Sequence, residues 1–344
     1  MRYVLAIETS CDDTSVAVVA EDRTVLANVV SSQVAEHTPY LGVVPELASR
    51  AHLKNMSTVY AEALGQAGLR LQDMSAVAVT AGPGLAGSLM VGLNFAKTLA
   101  FGADLPLIGV NHIKGHVAAL FLEYATMPLP ALALIVSGGH THLFLVGEDR
   151  ALALLTKSRD DAAGEAFDKL SKMLGLGFPG GPLVDRLASD GDSSAYKFSK
   201  PKFSDGSRDF SFSGMKTAAR RHIERNPEDF RDPKGSAARN LCASFQAAVV
   251  KHLLDRVRLA LDKEEAHALL LGGGVACNSQ LRQRFAEQGK AVNCPTFISS
   301  PCFSTDNAAM IAAEGWRLFE LKRFSQLDLA SNISFKAYDS VKLL

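Results

Sequence analysis

The 344-residue chain contains no Cys-x-x-Cys pair. Its five cysteines (Cys11, Cys242, Cys277, Cys294 and Cys302) are widely separated and odd in number. That excludes a disulfide scaffold and a cysteine-based zinc module, and it fits a reducing compartment. Long apolar runs are missing too. Ala131–Val136, among the longest, falls far short of the roughly 20 residues a membrane helix needs. The opening residues reach acidic positions too soon for a secretory apolar region, so a cytoplasmic protein without membrane association is expected. Neither sign of charge is in excess, with 36 Lys+Arg against 36 Asp+Glu, which excludes histone-like binding but leaves room for a local basic patch. No His-Glu-x-x-His occurs, so the base of a zinc protease is lacking: Ile113 and Lys114 separate His112 from Gly115 and His116. Hydrophobic residues make up 47% and charged residues 21%, the profile of a folded globular chain of about two domains.

Short apolar runs joined by glycine turns dominate the sequence. Tyr3–Ile7 reads as a buried strand, followed by a polar turn and strands at Ser15–Ala20 and Thr24–Val30. Pro45–Ala67 has helical spacing, and Ala76–Thr80 is a strand running into the turn Gly82–Gly87 and a helix. Leu107–Val110 leads into a helix carrying both histidines. The second half repeats the plan. Ala131–Val136, a Ser137–His140 turn and Thr141–Val146 echo the start, while Ala268–Leu271, the turn Gly272–Gly274 and a helix from Asn278 echo residues 76–100. This pattern predicts an α/β fold of two related lobes, residues 1–128 and 129–344, with the boundary at the proline-bearing 125–130 stretch. The last helix could pack back on the first lobe.

Several residues could carry chemistry. His112 and His116, four apart on a helix, share a face and could share a metal, although a solvated histidine pair has the same spacing. Asp306, in Ser304-Thr305-Asp306-Asn307, is a possible third ligand or a helix cap. Glycine turns at strand ends offer backbone amides to phosphate, although none ends in the Lys-Ser/Thr of a P-loop. Asp12 and Asp13 follow the first strand, and Asp168 lies on an amphipathic helix. Residues 197–225 hold eight Lys/Arg against three acids, interleaved with Phe198, Phe203, Phe210 and Phe212, a candidate surface for RNA.

Together these blocks resemble one family. They include Ile7-Glu8-Thr9-Ser10-Cys11-Asp12-Asp13-Thr14, Val44-Pro45-Glu46-Leu47-Ala48-Ser49-Arg50, Asn111-His112 with Gly115-His116, and Val136-Ser137-Gly138-Gly139-His140. Gly164-Glu165-Ala166-Phe167-Asp168, Phe178-Pro179-Gly180-Gly181-Pro182, Gly272-Gly273-Gly274 with Asn278, and Ser304-Thr305-Asp306-Asn307 complete the set. The chain is similar to the bacterial TsaD (Gcp) family, the tRNA N6-adenosine threonylcarbamoyltransferases. The resemblance implies a duplicated actin-like, Hsp70-like, sugar-kinase-like (ASKHA) fold, with two RNase H-like lobes around a cleft. It implies transfer of threonylcarbamoyl from threonylcarbamoyl-AMP to N6 of adenosine 37, in tRNAs reading codons that begin with A, with release of AMP. By position, His112, His116 and Asp306 would hold one divalent metal, Fe²⁺ the expected occupant and Zn²⁺ the alternative. Val136, Ser137, Gly138, Gly139 and His140 would line the substrate, and Asp168, Gly181, Asp185 and Asn278 would hold the adenylate. Asp13 and His140 are the candidates for proton transfer. Asp13 stands where the family often has Glu. Implied partners are tRNA, a non-catalytic TsaB-like paralogue and a small TsaE-like ATPase. An ASKHA-type kinase or ATPase acting on a small molecule is the alternative. The histidine pair opposes it, because phosphoryl transfer normally uses Mg²⁺ held by carboxylates and phosphates.

Overall fold

In the computed structural model, residues 1–201 and 203–334 are described; Lys202 and the last ten residues, which the expected second lobe includes, lie outside them. The described residues form two compact units: Met1–Thr126 together with residues 302–334, and Met127–Pro301. Unit 1 opens with strands β1 (Tyr3–Glu8), β2 (Asp13–Ala20) and β3 (Val25–Ser32). Helices α1 (Val34–His37) and α2 (Pro45–Ala67) follow, then β4 (Ala76–Gly82), α3 (Ala86–Gly102), β5 (Leu107–Asn111) and α4 (His112–Glu123). Unit 2 contains β6 (Ala131–Val136), β7 (Thr141–Val146), β8 (Leu152–Lys157), α5 (Ala163–Met173), α6 (Gly180–Ala188), α7 (Ser213–Arg225) and α8 (Ser236–Leu261). It continues with β9 (Ala268–Gly272), α9 (Ser279–Ala291) and β10 (Thr296–Ile298). A short helix α10 (Pro301–Ser304) leads to α11 (Ala308–Glu320), which packs in unit 1.

Each unit holds one five-stranded sheet, ordered β3-β2-β1-β4-β5 and β10-β9-β6-β7-β8. In both, the first strand pairs antiparallel with the second and parallel with the fourth. The third strand is antiparallel to the second, and the fifth parallel to the fourth. Thus β1 corresponds to β6, and β4 to β9, the same equivalence that the sequence repeat suggested. The shared topology is that of the duplicated actin-like fold.

The period-two pattern of β1 explains how unit 1 is layered. Leu5 and Ile7 point into one core with Met56, Val59 and Ala63 of α2 and Leu93 and Ala96 of α3. Val4 and Ala6 point to the other face, against Ala308, Ala309, Ala312 and Trp316 of α11 and Ala119 of α4. Each buried Leu or Ile side chain contributes on the order of 1.5–3 kcal/mol by leaving water. Trp316 also donates Nε1–H to the Val19 carbonyl at 3.0 Å, which fixes α11 on the sheet. Small residues allow the helices to approach. A Cβ on Gly115 of α4 would stand 2.9 Å from Ile311 Cδ1 of α11, so glycine brings the two helices together where the histidines lie.

Candidate metal centre and binding turns

Unit 1 assembles His112, His116 and Asp306 from two distant parts of the chain. Asn111 caps α4, its side-chain oxygen accepting from Ile113 N (2.9 Å) and Lys114 N (3.2 Å). That starts the helix at His112 and puts His116 one turn on, with ring centroids 4.8 Å apart. Asp306 is delivered by the start of α11. There Asn307, not Asp306, is the cap: its side-chain oxygen accepts from Met310 N at 3.1 Å. Ser15 Oγ and Asn28 Oδ1 accept the next two orphan amides, from Ala308 (2.9 Å) and Ala309 (3.2 Å). So the helix end is satisfied without the Asp306 carboxylate, which stands 3.5 Å from His112 Nε2 and 3.3 Å from His116 Nε2. Asp306, expected from the second half of the chain, therefore shares a unit with the histidines.

One ligand atom from each of the three residues lies within 4.8 Å of the others, a set that could hold a metal ion. Two tests of fit favour it. His116 is 1% exposed, yet neither of its ring nitrogens makes a hydrogen bond among the described residues. A buried imidazole left this way is costly unless something coordinates it. The local field also favours a cation. Burial opposes charging His112, but the Asp306 and Glu8 carboxylates outweigh it and draw its pKa up to about 9. Two imidazoles and one carboxylate suit Zn²⁺ or Fe²⁺ better than Mg²⁺, which prefers oxygen ligands.

The turn after β1 surrounds this centre with acids. Asp13 is half-buried, and its Oδ1 makes no hydrogen bond among the described residues. Burial, then the Asp306 and Asp12 charges, push its pKa up to about 7. Burial likewise raises Asp12, and burial followed by the neighbouring aspartates raises Cys11, a poor nucleophile here.

Unit 2 gathers the other expected residues into two groups. Val136 ends β6 fully buried, and Ser137 Oγ accepts from His140 N (3.2 Å), closing the Ser137–His140 turn. Gly138 and Gly139 have open space where a Cβ would be, whereas the positions behind the turn are filled. A Cβ on Gly164, at the start of α5, would stand 2.6 Å from Ser137 O, and one on Gly273 would strike the Val136 carbonyl. His140 is half-buried and stacks on His142 with centroids 5.6 Å apart. The second group lies at the starts of α6 and α9. Asp168 Oδ1 accepts from Gly180 N at 2.7 Å, fixing the turn that carries Gly181. Asn278 caps α9 through Leu281 N (2.9 Å) and donates to Asp185 Oδ1 (3.1 Å) and Gln246 Oε1 (2.8 Å). Asp185 also accepts from Ser279 N and Oγ. The turn Gly82–Gly87 has dinucleotide-like Gly-x-Gly-x-x-Gly spacing, but Gly84 serves packing: its Cβ would stand 2.6 Å from Ser10 O.

A family model described as TsaD, tRNA N6-adenosine threonylcarbamoyltransferase, matches residues 24–313. A protein of that name from Geobacter sp. (strain M21) is 50% identical over 312 residues, covering 91% of this chain and 90% of that protein. Another, from Clostridium perfringens, is 44% identical over 331 residues, covering 96% of each. The chain belongs to the TsaD family. It is therefore a transferase that places threonylcarbamoyl on N6 of a tRNA adenosine. More distant solved structures share the fold alone. The (R)-2-hydroxyglutaryl-CoA dehydratase component A of Acidaminococcus fermentans aligns with a TM-score of 0.54 at 14% identity, over 92% of this chain and 98% of that one. HypF of T. kodakarensis aligns with a TM-score of 0.59 at 14% identity, over 92% of this chain and 48% of that one. Among the described residues, no helix of this TsaD chain is long and apolar enough to cross a membrane.

The basic segment differs from its expected form. Phe210 and Phe212 are fully buried and Phe198 packs on the same core, so these rings are not stacking platforms for bases. Phe203 lies under the Arg159 guanidinium at 4.8 Å. Lys216 is held by Asp161 at 2.7 Å, Lys200 by Asp255 at 2.7 Å, and Arg220 by Glu224 at 3.0 Å. The exposed cations of α7 are Arg220, with its surface partner Glu224, and Arg221 and Arg225. Conversely, Glu8, Thr80 and Ser10 are neighbours of the candidate metal centre that the sequence reading did not single out for a role there. Glu8 Oε2 is 3.0 Å from His112 Nδ1 and accepts from Thr80 Oγ1 at 2.6 Å. A glutamate ending an otherwise apolar strand, on the Val4/Ala6 face, was the available signal.

Proposed function

We propose that the chain transfers threonylcarbamoyl from threonylcarbamoyl-AMP to N6 of adenosine 37, in tRNAs reading codons that begin with A, and releases AMP. The observation that carries the reading is the His112–His116–Asp306 cluster in a chain of this family. Those three residues would hold one divalent ion, Fe²⁺ in first place and Zn²⁺ in second. Bound there, the ion supplies Lewis acidity with coordination positions left open.

The chain's own residues do the rest. Val136, Ser137, Gly138, Gly139 and His140 receive the donor's acyl-phosphate region, since the bare Gly138–Gly139 edge lets backbone approach closely. Asp168, Gly181, Asp185 and Asn278 orient the ribose and base of the adenylate. The donor is a mixed anhydride and already activated, so no protein nucleophile is required. The N6 nitrogen bonds to the carbamoyl carbon, the carbon–oxygen bond to phosphate breaks, and AMP leaves with the electron pair. We assign the N6 proton to Asp13, whose buried Oδ1 makes no hydrogen bond among the described residues. His140 remains the acceptor to compare by substitution. The partners inferred are tRNA, a TsaB-like paralogue and a TsaE-like ATPase, in the cytoplasm.

Incubating the protein and those partners with threonylcarbamoyl-AMP labelled in threonine, and with tRNA, tests the reading. Label in tRNA and equimolar AMP are expected. Stoichiometric ADP from ATP and a small-molecule acceptor, with no label in tRNA, would establish the kinase instead.

A further inference from the structure

A buried carboxylate, Glu8, contacts His112 on the side of the ring away from Asp306. Glu8 ends β1, and alternation along that strand places its side chain on the face covered by α4 and α11. Its carboxylate is fully buried, so its geometry is fixed by its partners. Oε1 accepts from the Ser10 amide, while Oε2 accepts from Thr80 Oγ1 at 2.6 Å and faces His112 Nδ1 at 3.0 Å. These donors hold the carboxylate in one orientation.

We infer that Glu8 is a positioning residue that fixes His112 as the Nδ1–H tautomer and so directs its Nε2 lone pair at the metal. The inference rests on the metal-centre reading. An ionised carboxylate only accepts, so the ring nitrogen facing it must carry hydrogen. With Nδ1–H held there, Nε2 is the nitrogen whose proton a metal would replace, on the side where Asp306 stands 3.5 Å away. Ser10 Oγ, 3.1 Å from the same Nδ1, can share that hydrogen as a second acceptor and hold the ring plane. His116 makes no corresponding hydrogen bond at either nitrogen among the described residues. The two histidines are thus unequal: His112 is pre-oriented through Glu8, whereas His116 relies on packing in α4. Carboxylate partners of this kind raise ligand basicity and commonly govern metal affinity by about 10–100-fold.

The test is Zn²⁺ affinity of the full chain by chelator competition, independent of transfer activity. Five forms are compared: wild type, Glu8→Gln, Thr80→Val, His112→Ala and the double variant Glu8→Gln/His112→Ala. Glu8→Gln should bind Zn²⁺ about 10–100-fold more weakly. Thr80→Val, which frees one donor to Oε2, should lose less. In the His112→Ala background, Glu8→Gln should cost nothing further, because its effect runs through His112. Wild-type affinity in Glu8→Gln, or an equal loss with and without His112, would overturn the assignment. If Glu8→Gln does not fold, Thr80→Val and its cycle with His112→Ala decide by the same criterion. Failure of the metal-centre reading looks different: wild type would not bind Zn²⁺, or His112→Ala would bind it as tightly.

Discussion

His252 offers a sharp test of how unit 2 is packed. Its ring is 4% exposed and edge-on to Phe210 (5.7 Å) and Phe212 (5.5 Å), the rings that the basic segment turns inward. Nε2 accepts from Ser211 N at 3.3 Å, which requires a neutral imidazole. Burial, then the positive charge of Arg256, lower its pKa to about 4. In the unfolded chain a histidine titrates near about 6.5. Between those values the unfolded state binds more protons, so stability must fall as pH drops from about 6.5 toward about 4. At roughly 1.4 kcal/mol per unit, the full window corresponds to about 3 kcal/mol, of which about 2 kcal/mol is already lost at about pH 5. His142, also lowered to about 4 by burial and Lys157, adds a loss of the same sign. Urea unfolding of wild type and His252→Gln at about pH 7.5 and about pH 5 separates the two, since glutamine keeps an acceptor without titrating. The variant should lose about 2 kcal/mol less on acidification. An identical loss in both proteins would refute a neutral, buried His252.

Other outcomes follow from the same geometry. Asp13→Asn should slow transfer by about 10²–10⁴-fold while leaving Zn²⁺ affinity close to wild type, and single-turnover rates beside chelator competition would show it. Normal rates, with the loss appearing in His140→Ala instead, would move the proton acceptor to unit 2. Gly273→Ala should destabilise the protein, seen as a lower urea midpoint: backbone strain at φ +88° costs about 1–3 kcal/mol, and the clash of the new Cβ with the Val136 carbonyl adds to it. Arg221→Ala with Arg225→Ala should weaken tRNA binding and flatten its salt dependence by about one unit of slope per charge. Lys216→Ala should instead act mainly on stability, through Asp161.

Local patterns exposed much of the fold. The run-turn-run at Tyr3–Ala20 recurs at Ala131–Val146 because each pair builds the same antiparallel hairpin beside a parallel strand. The i, i+4 spacing of His112 and His116 was visible because one helix turn settles it. The role of Asp306 was not derivable from spacing, since 190-odd residues separate it from the histidines and a neighbouring Asn could equally cap the helix. Two side chains from elsewhere, Ser15 and Asn28, together with the adjacent Asn307, decide that point by satisfying the α11 amides. Composition misled at residues 197–225. Charge and aromatic content look alike whether rings face solvent or core, and here Phe210 and Phe212 complete the core around His252. A buried network linking Thr14, Gln33, His37 and His52 was likewise illegible, because its members come from β2, the two ends of α1, and α2.

Metal-stripped protein, assayed for transfer of labelled threonylcarbamoyl to tRNA while Fe²⁺ or Zn²⁺ is titrated back, tests the central claim most directly. Transfer should vanish on stripping and return in proportion to bound ion, saturating at about one per chain, with no recovery in His116→Ala. Full-rate transfer by verified metal-free protein, or by His116→Ala, would contradict the account.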